Sequence, residues 1–207
     1  MHILALLLLT LSYVWAPNQV PQTANQQVAF VDADMVGEAK SRHFFVFTSS
    51  ARRYAIRNDG RSEGAASPAQ RKTFHLQMGG SSNVKRVYFA EFEGDLFLEY
   101  EVTSARGNLG YVLRMDQKTM KYKWLALVNA ENLGPGLIDN HELYFSGSNL
   151  LAKLDLQDGT YAWQSELQRF FTFTAPTIKG DKVVFHDESE GERVVEVEKE
   201  TGRLLKS

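Results

Sequence analysis

The sequence predicts an all-β chain assembled from repeated units. The first observation is self-similarity: Tyr111 to Trp124 reads YVLRMDQKTMKYKW and Leu150 to Trp163 reads LLAKLDLQDGTYAW. In both, a hydrophobic strand ends in an acidic residue, a polar turn follows, and a second strand closes on Trp. Asp116 and Asp155 stand 39 positions apart, and so do Trp124 and Trp163. A degenerate third copy, Val194 to Lys206 (VVEVEKETGRLLK), sets Glu198 at the acidic place and Gly202 where Gly159 falls. The second observation is a succession of short apolar runs with turn signals every ~8–12 residues, the pattern of sandwiches, barrels and propellers. The third is that no segment beyond the N-terminus shows helical periodicity. A period near ~40 residues marks stacked β units that cannot bury their faces alone. Residues 28–207 hold about four of them. The expected architecture is therefore a β-propeller-like repeat array of about four small blades, with a β-sandwich of degenerate repeats as the alternative.

Along the chain, residues 1–16 form a short apolar stretch, Ile3 to Trp15 without a charge, followed by Ala16; this is a signal-peptide pattern. It is short for a membrane span, which takes about 20 residues. Residues 17–27 (PNQVPQTANQQ) are polar and read as a linker, so residues 28–207 form the single domain. Val28 to Val36 is expected as one short strand, and His43 to Thr48 as a stronger one. Arg53 to Asn58 runs into Asp59-Gly60, a hairpin signal. Ser62 to Gln70 reads as a loop, Lys72 to Met78 as a strand, and residues 79–83 as a turn. From Val84 onward strands follow nearly continuously: 86–92 and 95–102 around Glu93-Gly94, then the two repeats. Asp139-Asn140 marks a hairpin between them. The segments 170–174, 177–178, 182–186 and 193–197 complete the set. The C-terminal unit ends on Leu204-Leu205-Lys206-Ser207 without its Trp, so the strand at 43–48 is expected to complete it and close the array.

These repeats resemble the quinoprotein-type, or PQQ-like, β-propeller family over residues 84 to 207. Leu154-Asp155, Asp158-Gly159 and Trp163 match the blade motif well. Met115-Asp116 with Trp124 lacks the Gly, and Val197-Glu198 with Thr201-Gly202 lacks the Trp. The resemblance implies that Trp124, Trp163 and Gly159 are structural, the rings packing between blades and the glycine adopting positive φ. It does not carry the family's quinone chemistry, because the chain is short for that ring. The chain also has no cysteine for the adjacent-cysteine disulfide or for a lipid anchor.

Composition excludes whole classes of function. Zero cysteines remove disulfide frameworks, thiolate metal sites and thiol nucleophiles. A net charge of −2 gives no general attraction to nucleic acid. His43, His75, His141 and His186 have no metal-ligand spacing, and His186-Asp187-Glu188 opens an acidic stretch (187–192) expected as a solvated hairpin tip. Glu91, Glu93, Glu99 and Glu101 alternate with apolar residues and read as the polar face of half-buried strands; if paired, they would mimic the two acids of a glycosidase. Arg52, Arg53, Arg57 and Arg61 make the densest basic stretch, with Arg53 and Arg57 on one strand face able to meet an anion or an acidic partner. The run 170–173 (FFTF) is expected in the core.

The sequence thus supports an exported, periplasmic or extracellular, non-catalytic binding or scaffolding module. A protein or glycan is its expected partner, with no nucleic acid and no membrane span after cleavage. A glycan-active or other hydrolase with a shallow acidic site is the alternative. No catalytic, cofactor-binding or metal residue is assigned.

Overall fold

The computed structural model describes residues 26–36, 44–79, 82–105, 107–170, 172, 174–188 and 193–207. The expectations for the signal segment, most of the linker and His43 lie outside these residues. So do those for residues 80–81, 171 and 173, and for the acidic stretch 189–192.

Three short strands open the described chain: β1 (Gln27–Ala29), β2 (Val31–Asp32) and β3 (Asp34–Val36). The first sheet contains β4 (Phe44–Ser49), β5 (Arg52–Arg57), β6 (Arg61–Ala65) and β7 (Lys72–His75). The second contains β8 (Ser82–Phe92), β9 (Asp95–Ser104), β10 (Gly107–Asp116) and β11 (Lys121–Val128). The third contains β12 (Leu137–Asp139), β13 (Glu142–Gly147), β14 (Leu150–Asp155) and β15 (Tyr161–Glu166). The fourth contains β16 (Thr177–Lys179), β17 (Lys182–Asp187), β18 (Arg193–Glu198) and β19 (Leu204–Lys206). Each is an antiparallel meander in chain order, so the four-blade, all-β expectation holds.

The hairpins form where turn chemistry allows. Glu93 and Gly94 both have positive φ (50° and 79°), the twist that suits a two-residue connection. Gly60, at φ 80°, closes the β5–β6 hairpin by donating its N–H to the Arg57 carbonyl. The first part of the expected loop at 62–70 is instead strand, the end of β6, and a single 3-10 turn, Pro68–Gln70, follows. Ser62 and Gly64 pair β5 on one side and β7 on the other, and Ala65 pairs β5.

The segment expected as one strand over 28–36 is divided among three sheets. β1 pairs β12 of the third sheet, β2 pairs β8 of the second, and β3 pairs β4 of the first. Phe30 and Ala33, at the breaks, are buried. Gln27, assigned to the linker from sequence, is already paired with Asp139. The strand at 44–49 pairs β3 and β5 within the first sheet. It therefore does not complete the C-terminal unit, whose last strand is its own β19.

Three apolar clusters hold the sheets together, each between consecutive ones. Phe45, Phe47, Tyr54 and Ile56 meet Leu96, Leu98, Tyr100 and Met115 between the first and second. Phe97 and Val112 meet Phe145 and Leu154 between the second and third. Tyr144 and Trp163 meet Phe185 and Val197 between the third and fourth, with Phe170 beside them as expected. Among the described residues no cluster joins the first sheet to the fourth.

Candidate binding face

The repeat motif builds the same latch twice. Trp124 Nε1 and Arg114 Nη1 both donate to the Leu156 carbonyl of the next sheet, at 2.9 and 2.5 Å. Thirty-nine residues later, Trp163 Nε1 and Lys153 Nζ both donate to the Lys199 carbonyl, at 3.0 and 3.5 Å. Each indole lies over a glycine in the receiving turn. A Cβ on Gly159 would come 2.7 Å from the Trp124 ring, and one on Gly202 2.5 Å from Trp163. Both glycines have positive φ (74° and 69°). The Trp residues are therefore packing groups between blades.

At the first interface the arrangement is reversed. Met120 occupies the turn position held elsewhere by glycine, at φ 58°, and its Cε reaches back to Gly64, where a Cβ would sit 2.7 Å from it. Left-handed backbone costs a methionine about 1–2 kcal/mol; burial of its side chain to 6% exposure offsets this.

The cation of each latch has its own carboxylate. Arg114 pairs with Asp95 at 2.5 Å and Lys153 with Glu142 at 2.5 Å. At the corresponding place in the fourth sheet the charges are exchanged, with Lys182 pairing Glu196 at 2.9 Å. Lys206 stands where Trp is due. The fourth sheet thus carries charged groups where the second and third carry the Trp latch, with Leu204 and Leu205 of β19 also exposed.

The glutamates do not assemble the paired-acid site. Register sets Glu99 opposite Tyr88 and Val112, and Glu101 opposite Arg86 and Gly110. Both are buried rather than lying on a solvated face, which corrects the sequence expectation. The reason is that the second sheet is covered on both sides. Alternation there sorts residues between two neighbouring sheets, not between core and water. Glu99 Oε2 accepts from the Gly136 N–H at 2.8 Å, and burial holds its carboxyl well above the usual range. Glu101 pairs Lys85 at 3.1 Å. Burial alone would raise Glu91, but hydrogen bonds from Ser49, Ser50 and Gln117 hold it below its ordinary value and tie the second sheet to the first. Glu93 is at an exposed turn, 3.9 Å from His141 Nδ1.

Asp187 departs from the solvated-tip expectation as well: it is fully buried and paired with Arg193, because it points into the third interface. His75, His141 and His186 are exposed and belong to the first sheet, the β12–β13 turn of the third and the fourth sheet respectively. Among the described residues no group of His, Asp and Glu could hold a metal ion.

The outer face of the first sheet carries a groove. One cavity of 600 Å³ is lined by Phe44, Val46, Arg53, Ala55, Glu63, Ala65 to Pro68 and Arg71. A second, of 300 Å³, continues it through the shared Phe44, Ala55 and Glu63 toward Arg57 and Arg61. Strand alternation explains the lining: Tyr54 and Ile56 point into the array, while Arg53, Ala55 and Arg57 point outward. Arg57 and Arg61 both pair with Asp59, at 3.1 and 3.3 Å. Arg52 points inward instead. The shared face of Arg53 and Arg57 is visible in sequence; the groove is not, since its floor joins Val46 and Ala55 of two expected strands to Ala65, which lies in the segment expected as a loop.

No protein-family model matches the chain, and no curated protein does. Among solved structures it is similar to BamB from Moraxella catarrhalis, with a TM-score of 0.56 and 15% identity over 86% of this chain and 51% of that one. The chain therefore spans about half the length of that structure. The likeness carries the fold, a propeller-like array of the PQQ-like kind that the repeats resemble. Among the described residues no helix is long and apolar enough to cross a membrane.

Proposed function

We propose that the chain is an exported, non-catalytic binding or scaffolding module, working through the outer face of its first sheet. The observation that supports this is the difference between the array's two ends. The fourth sheet presents Lys182, Glu196 and Lys206, with Leu204 and Leu205 exposed on its last strand and no groove among the described residues. The first sheet ends on an open groove with an apolar floor, the form a binding site takes. Export rests on the uncharged apolar segment at 3–15. Of the acids the hydrolase alternative needs, Glu99 and Glu101 are buried in the sheet interfaces and Glu91 is engaged by Ser49 and Ser50.

A photo-crosslinking residue at Ala66, beside the groove, should yield a discrete adduct with one partner in cells. The same residue at Glu196 on the fourth sheet should yield none. Equal labelling at the two positions, or none at either, would sink the reading. N-terminal sequencing of exported protein should begin near Pro17 or Asn25.

A further inference from the structure

We propose that the first-sheet groove takes an extended peptide carrying an aromatic side chain flanked by carboxylates; this rests on the binding role above. The position of the groove comes first. In the third and fourth sheets, the connection between third and fourth strands receives the Trp of the preceding sheet, over Gly159 and Gly202. In the first sheet the corresponding connection is 66–71, and the groove opens beside it on the equivalent face. Val46, Ala55 and Ala65 make a floor of small apolar groups between Phe44 and Pro68. The groove therefore lies where an indole would rest inside the array.

The rim decides the chemistry. Inside the array the receiving groups are carbonyl oxygens, which take an indole N–H together with a cation. The groove instead presents guanidinium groups. Arg71 is held 3.6 Å from Glu63, more than half exposed. Arg53 is exposed, and its side chain makes no ion pair or hydrogen bond among the described residues. Guanidinium pairs with carboxylate in a bidentate fork, so the flanking groups of the guest are acidic.

The same charges argue against a second copy docking end to end. Its fourth-sheet face would bring Lys179, Lys182 and Lys206, around the single carboxylate of Glu196, against Arg53 and Arg71. Residues 1–25 of the chain contain no Asp or Glu and do not supply the guest either.

The test is fluorescence anisotropy at low salt with labelled acetyl-Glu-Trp-Glu-Trp-Glu-amide. Its lysine-for-glutamate and alanine-for-tryptophan counterparts serve as comparisons. The acidic aromatic peptide should bind with a Kd below about 100 µM and each counterpart at least ~10-fold more weakly. Arg53→Glu and Ala55→Trp, both on the outer face, should each weaken binding ~10-fold while leaving the melting midpoint unchanged. No binding, equal binding of the three peptides, or binding indifferent to both substitutions overturns the proposal. So does a dimer, seen by sedimentation, that Ala55→Trp dissociates. If Ala66 still crosslinks one partner when the peptide fails, the guest chemistry is wrong and the binding role stands. If both fail, both fall.

Discussion

The ring of Trp124 lies on the α-carbon of Gly159 so closely that a methyl group there would come within 2.7 Å of the indole. Gly159 therefore meets two demands at once, a left-handed backbone and a flat surface for the neighbouring ring. Gly94 meets only the first: its φ is 79° and nothing lies within 4 Å of its missing Cβ. Gly94→Ala should cost about 1–2 kcal/mol, the backbone term alone. Gly159→Ala and Gly202→Ala should cost roughly 1–3 kcal/mol more, the range for overpacking. Denaturant titration of the three variants separates the terms, and equal losses would show that the rings move aside.

Trp163→Ala should cost about 3–5 kcal/mol, as for large buried aromatics. Trp163→Phe keeps most of the packing and loses the bond to the Lys199 carbonyl, about 1 kcal/mol. Should both variants melt with wild type, the latch would hold no stability.

Stability should depend on pH through Glu99. Burial raises its pKa in the folded chain above the unfolded value of about 4.3. The native state then binds the extra proton. Stability is fully present below the unfolded pKa and is lost as pH rises toward the folded one. Glu99→Gln removes this slope and keeps an acceptor for the Gly136 N–H. Melting curves from pH 4 to pH 9 should show the variant gaining on wild type as pH rises. A constant gap would mean that Glu99 does not change protonation on folding.

Gly64→Val should destabilise the first interface by roughly 1–3 kcal/mol, since a Cβ there meets both Met120 and the Tyr54 ring. Met120→Ala should recover part of that loss in the double variant. Strictly additive losses would show that Gly64 and Met120 do not share the space.

Much of the array was legible because its signals are local. Trp at a fixed distance from an acidic turn needs only the string of letters, and Asp59-Gly60 marks its hairpin alone. Two features were not legible for the same physical reason. Glu99 and Glu101 look like solvent-facing residues in any single strand; only a sheet packed on each side makes them interior. The run 28–36 looks like one strand because nothing in its own letters records three different partners. The groove is a third case. Its receptor position follows from the repeat, but its alanine floor gives no signal until the strands are set side by side.

Gln27 hydrogen-bonds Asp139, which lies 112 residues further along the chain. A ribosome delivers β1 long before it delivers β12, and β2 before β8. The stretch that leaves the ribosome first among these strands is consequently the one whose pairing is finished late. Until the third sheet emerges, the first two have a bound neighbour on β4 and β8 at most, and the inner edge of the third is closed only by a return of the early chain. The β1–β12 ladder therefore forms only once residues 137–139 have been made, the longest wait among the three pairings that residues 27–36 enter.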